Sequence, residues 1–128
     1  MKNFRRSSRL LGITFFLMAL SSCSGEPDER QLMYGPNNDI VYVVEMFHGS
    51  GAPSSDDTNI YAMSEENKQS RRLVLSGENL DIKKIVWKDA TNVVICLTGG
   101  ITSHYSNLVT VPLHSGSTNI HNHLVEDC

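Results

Sequence analysis

Ile40-Val41-Tyr42-Val43-Val44-Glu45-Met46-Phe47 is β-branched or aromatic at most positions and carries a single charge, Glu45. Successive side chains of a strand point to opposite faces. An apolar residue at nearly every position therefore predicts a central strand covered on both sides. Downstream, His48 to Asp57 reads as a long loop holding Gly49, Gly51 and Pro53, and Asn59 to Met63 as a second strand. Ser64 to Ser70 is a polar turn, or a single helical turn capped by Ser64. Arg72 to Leu75 is a strand, closed by a turn over Ser76-Gly77-Glu78-Asn79.

Further along, Ile85 and Trp87 fall on one face of Ile82 to Lys88 while Lys84 and Lys88 fall on the other. That alternation marks a half-buried strand. Asp89 to Asn92 turns the chain into Val93-Val94-Ile95-Cys96-Leu97, again apolar on both faces. Gly99-Gly100 opens a loop through His104 and Tyr105. Asn107 to Leu113 follows, with Pro112 favouring an edge or strand-end position because it lacks a ladder donor. Asn119 to Val125 is the last strand. About seven short strands and no convincing helix predict a mainly β chain, one small antiparallel domain over residues 39–128, built as a sandwich or a rolled meander.

Upstream, Ser24 to Asn38 is polar and broken by Pro27, Gly35 and Pro36, so residues 23–38 read as a tether, with Leu32, Met33 and Tyr34 able to dock on the body. A coil of that length would stand the domain off by roughly 20 Å. Before it, Lys2, Arg5, Arg6 and Arg9 precede an apolar run from Leu10 to Leu20, which ends in Ser21-Ser22-Cys23. A basic start, a short apolar middle and small residues at the end have the layout of an export signal. The run makes about 16 Å of helix, too short to span a bilayer core of roughly 30 Å.

Leu20-Ser21-Ser22-Cys23 resembles the lipobox of bacterial lipoproteins, an aliphatic residue and two small residues before an obligatory cysteine. The resemblance covers the first 23 residues and leaves the rest of the chain without a recognised family. It implies cleavage between Ser22 and Cys23, removal of residues 1–22, a diacylglycerol on the Cys23 thiol and an acyl chain on the new amine. Two or three chains anchor durably where one holds marginally. Ser24, rather than Asp, directly after the lipidated cysteine implies sorting to the inner leaflet of the outer membrane, facing the periplasm.

Removing the signal takes four of the chain's 11 basic residues and none of its 14 acidic ones, leaving seven against 14 and a net charge of −7 with histidines neutral. Such a body excludes nucleic acid and anionic lipid as bulk electrostatic partners. Lipidation also consumes one of three cysteines. In an oxidising compartment, Cys96 and Cys128 can then pair, worth about 3–4 kcal/mol by loop entropy.

The residues that could carry chemistry are few. His121 and His123 share a strand face and, with His114 in a loop, form a candidate metal site to which Glu126, Asp127 or a reduced Cys128 could contribute. Ile120 and Leu124 occupy the opposite face, so if they enter the core the histidines point to solvent. Gly49-Ser50-Gly51 lacks the Gly-Lys-Ser/Thr ending of a phosphate loop. Ser50 beside His48 lacks an esterase elbow. Trp87 reads as a core residue. The expectation is a non-enzymatic, lipid-anchored envelope protein with no cofactor beyond its acyl chains. Its partner would be a protein in the periplasm, one version being an immunity or inhibitor protein; the rival is a metal-binding envelope protein using His121 and His123.

Overall fold

A computed structural model describes residues 25–49, 55–126 and 128. It is all β, with no helix among the described residues. The strands are β1 (Glu29–Tyr34), β2 (Ile40–His48), β3 (Asp56–Ser64), β4 (Arg72–Glu78), β5 (Asp81–Trp87), β6 (Asn92–Thr98), β7 (Ile101–Tyr105), β8 (Leu108–Leu113) and β9 (Gly116–Val125). They form two sheets, a first in the order β1-β2-β3-β4-β7 and a second in the order β5-β6-β9-β8.

The sheets face each other across one core. Ile40, Tyr42, Val44, Ile60, Val74 and Leu75 come from the first sheet, and Val93, Ile95, Leu97, Val109, Val111 and Ile120 from the second. The small mainly β domain expected from the sequence is therefore present as a sandwich. Its ladders are antiparallel except for β6 against β9, which run parallel, Val93 opposite Asn122 and Ile95 opposite Leu124. The cause is connectivity. After β6 the chain crosses to the first sheet as β7, returns as β8, and the β8–β9 hairpin then lays β9 beside β6 in the same direction.

Two segments read as irregular are strands. Glu29–Tyr34, placed in the tether, pairs with β2 along its whole length. Ile101–Tyr105, placed in a loop, pairs with β4. The turn expected at Ser76–Asn79 also moves. Ser76, Gly77 and Glu78 belong to β4, and the chain leaves the first sheet at Asn79, which has φ 53°. Asparagine tolerates this left-handed conformation. Asn79 is held there by two bonds to Asp56, its N–H to Asp56 O at 2.8 Å and its Oδ1 accepting from Asp56 N at 3.0 Å. Gly77 is required where β7 comes close, because any Cβ there would strike the carbonyl of Ile101. Ser64–Ser70 forms a turn and no helix, tied by the Ser64 N–H to Ser70 Oγ bond at 3.0 Å.

A buried polar network joins the sheets. The Tyr42 hydroxyl donates to Asn122 Oδ1, Asn122 Nδ2 donates to Ser106 O at 3.0 Å, and the Tyr105 hydroxyl donates to Asn122 O at 2.7 Å. Burial pushes the Tyr42 phenol well above its usual range, the Asn122 bond opposing it and Tyr105 adding to it. Trp87 meets Tyr42 edge-on, ring centroids 5.2 Å apart. On its other side Trp87 packs under Gly35, where a Cβ would sit 3.2 Å from the indole. The core reading of Trp87 holds.

Candidate functional site on the outer face of the first sheet

The register places Arg30, Leu32 and Tyr34 of β1 opposite Glu45, Val43 and Val41 of β2, and these opposite Asn59, Tyr61 and Met63 of β3. Cross-strand partners share a face. These side chains therefore lie on the side of the first sheet away from the core, where Val41, Val43 and Met63 form a second, smaller buried cluster. The apolar odd positions of the Ile40–Phe47 run thus have their own cover, supplied by β1 side chains and the segment before β4.

Within this face Glu45 is 5% exposed. Its Oε2 accepts from Arg30 Nε at 3.0 Å and Nη2 at 2.7 Å, and its Oε1 accepts from Arg71 Nη2. Arg71 also lies over the Tyr61 ring, 3.9 Å from its centroid. Burial alone would raise the Glu45 carboxyl, but the bonds and charges of Arg30 and Arg71 outweigh it and hold the pKa below the usual range. Glu45 is therefore ionised at neutral pH with both carboxylate oxygens bonded to guanidiniums, which suits it to fixing two arginines and not to proton transfer. Around the trio is a groove of about 220 Å³, floored by Val43 and Met63 and rimmed by Leu32, Tyr34, Glu65 and Lys68. Leu32 and Tyr34 remain 49% and 46% exposed.

The far end of the same face holds a more open and polar hollow of about 550 Å³ between Phe47, Asn59, Ser76, Ile101 and Ser103. Ser76 and Ser103 hydroxyls are 3.0 Å apart there, and the Ser103 hydroxyl also lies 3.1 Å from Ser76 O. At the adjoining end of β2, His48 lies 3.4 Å from Asp56 and 3.8 Å from Glu29. The Asp56 contact raises its pKa above the usual value.

The residues singled out in the sequence separate rather than converge. Ser22, Cys23, Ser50, Gly51 and Asp127 lie outside the described residues. Cys96 and Cys128 are bridged, with Cα atoms 6.3 Å apart across 32 residues, so Cys128 has no thiolate to give a metal. This strap crosses the outer face of the second sheet and buries Cys96 completely. His121 and His123 share that face and are exposed, while Ile120 and Asn122 on the opposite face are buried. His123 Nε2 is 3.1 Å from Asn92 Oδ1. His114 sits in the β8–β9 turn beyond Gly116, the end of β9 that lies about 17 Å along the strand from His121, so the three histidines are not brought together. No group of three or more His, Cys, Asp or Glu side chains able to hold a metal exists among the described residues.

Sequence reasoning missed Arg30, Glu45 and Arg71 as a unit and Asn122 as a core residue. Glu45 did carry a signal, as the lone charge in an apolar run. No protein-family model matches the chain, and no curated protein or solved structure matches it either.

Proposed function

We propose that the chain is a non-enzymatic lipoprotein of the cell envelope, anchored through acylated Cys23 and facing the periplasm from the outer membrane, whose sandwich binds a protein through the outer face of the first sheet. The observation that carries the binding role is the groove beside Glu45. Half-exposed Leu32 and Tyr34 stand over an apolar floor, and arginines already locked in place by Glu45 rim it. A rigid patch of that kind loses little side-chain entropy on binding. An immunity or inhibitor protein against an envelope-directed toxin or hydrolase is the specific form that fits a small, chemically plain, tethered domain.

The fold revises how such an anchor would hold the domain. The Asp28 N–H already bonds Met46 O at 2.8 Å, and Asp28 Oδ2 accepts from His48 N at 2.6 Å. The connection from Cys23 to the sandwich is thus only residues 24–27, with a reach of at most about 17 Å. The domain is held close to the membrane surface instead of standing off it.

A photo-crosslinking amino acid placed at Lys68, on the groove, and separately at Thr110, on the second sheet, tests the binding role in cells. The expected result is a discrete crosslinked protein from Lys68 in the membrane fraction and none from Thr110. Equal labelling from both positions, or none from Lys68, overturns it. Intact mass of the detergent-extracted protein checks the anchor: a chain beginning at Cys23 and carrying acyl mass, which Cys23→Ser abolishes.

A further inference from the structure

The four edges of the two sheets are not alike. An unpaired edge is a template for another strand, and proteins blunt it with bulges, lysines, proline or shortness. β5 has a register shift between Ile82 and Lys84 and carries Lys83 and Lys84. β8 contains Pro112. β7 is five residues long and meets β4 with a shift at Ser76/Gly77. Among the described residues, β1 is the edge with none of these devices: it pairs with β2 in unbroken register over six residues and contains neither lysine nor proline.

The free side of β1 has a definite chemistry. The Gly35 N–H donates to Ile40 O at 2.8 Å, and in an antiparallel ladder the residues bonded to one neighbour recur at every second position. Met33, Gln31 and Glu29 therefore bond towards β2, and Arg30, Leu32 and Tyr34 turn their N–H and C=O groups to the open edge. The same three residues carry their side chains on the outer face.

We infer that β1 pairs antiparallel with β1 of a second copy of this chain, about a two-fold axis through Leu32. In this register Leu32 opposes Leu32 of the second copy, and each Arg30 opposes the second copy's Tyr34. All three residues present outward backbone groups, so the pairing closes a ladder of about six hydrogen bonds. The side chains complement each other as well. The half-exposed Leu32 and Tyr34 become covered, and each Arg30 guanidinium, oriented by Glu45, meets an aromatic face. Pairing centred on Gln31 would close only the bonds between Arg30 and Leu32 and leave Tyr34 opposite Asp28, beyond the strand and already bonded to Met46 O, and centring on Arg30 would oppose two like charges. The register through Leu32 is the one that engages all three outward residues of β1 (Glu29–Tyr34) on both chains, and the partner it fits is a second copy. The two first sheets become one continuous ten-stranded sheet. This inference does not rest on the groove's binding a protein.

Leu32→Cys in the full-length chain tests the register in cells. Cα atoms in a hydrogen-bonded antiparallel pair lie about 5.5 Å apart, within disulfide reach. Mild oxidation of the envelope fraction should convert most of this variant to a disulfide dimer on a non-reducing gel. Gln31→Cys, whose counterpart lies two residues out of register, should stay monomeric. Leu32→Lys, a surface change that leaves the core untouched, should halve the protein mass of the detergent-extracted protein by sedimentation. A Leu32→Cys chain that stays monomeric, equal crosslinking of Gln31→Cys, or a wild type that already sediments as a monomer overturns the inference.

Discussion

The two sheets share a core but finish their outer faces in opposite ways. The first buries Val41, Val43 and Met63 on its outer side and sinks the charged Glu45 among them, held by Arg30 and Arg71. The second presents His121 and His123 to solvent and is strapped by the Cys96–Cys128 bridge. One face is closed by charge pairing and side-chain cover, the other by a covalent link. The difference shows where binding capacity lies. Cover made of long, half-exposed side chains can be shared with a partner, whereas a disulfide cannot be.

The largest effect should come from the strap. Cys128→Ala opens a loop across 32 residues, and the loop-entropy relation gives a loss of about 3–4 kcal/mol. Urea unfolding of the membrane-extracted protein should show the midpoint falling with the slope unchanged. A loss below about 1 kcal/mol would mean that β9 is held by its ladders to β6 and β8 alone.

On the first face, Glu45→Gln leaves two guanidiniums without their anion. Breaking a fully buried pair costs about 3–5 kcal/mol. Arg30 is 54% exposed, so water relieves part of the loss and about 1–3 kcal/mol is expected. The sign with pH follows from the lowered pKa of Glu45. A carboxyl depressed in the folded state contributes stability that is complete above its unfolded pKa of about 4.3 and is lost as pH falls through the folded value. Wild type should exceed Glu45→Gln at neutral pH, with the gap closing in acid. A pH-independent gap would assign the effect to packing instead.

How much of this was legible in the sequence follows from what each segment buries. The Ile40–Phe47 run and the alternation of Ile82–Lys88 gave strands correctly, because their apolar periods record burial directly. β1 and β7 left no such record: Glu29-Arg30-Gln31 and Ile101 to His104 are exposed throughout. Those strands exist because a neighbour offers ladder partners, a fact that lies elsewhere in the chain. The same holds for the sites. Glu45 was visible as an anomaly, but its arginines lie 15 and 26 residues away. Asn122 finds Tyr42 across 80. Pairing at such separations is decided by sandwich topology, which local pattern does not encode. The histidines divide for a related reason: spacing put His121 and His123 on one face, as the structure has them, but only the β8–β9 hairpin determines how far away His114 falls.

The smallest effect is expected on the second outer face. His121→Ala with His123→Ala removes two exposed rings and one bond to Asn92, so stability should change by no more than about 0.5 kcal/mol. Two imidazoles about 7 Å apart along a strand, with Cys128 committed to its disulfide, give a divalent ion too few donors for a tetrahedral site. Zinc titration by calorimetry should therefore give the same negligible heat for wild type and the double variant. Binding heat that disappears with the histidines would transfer the ligand-binding role to the strapped face and invert the comparison. A silent second face beside a sensitive Glu45 would leave the groove and the β1 edge as the surfaces through which this domain meets other molecules.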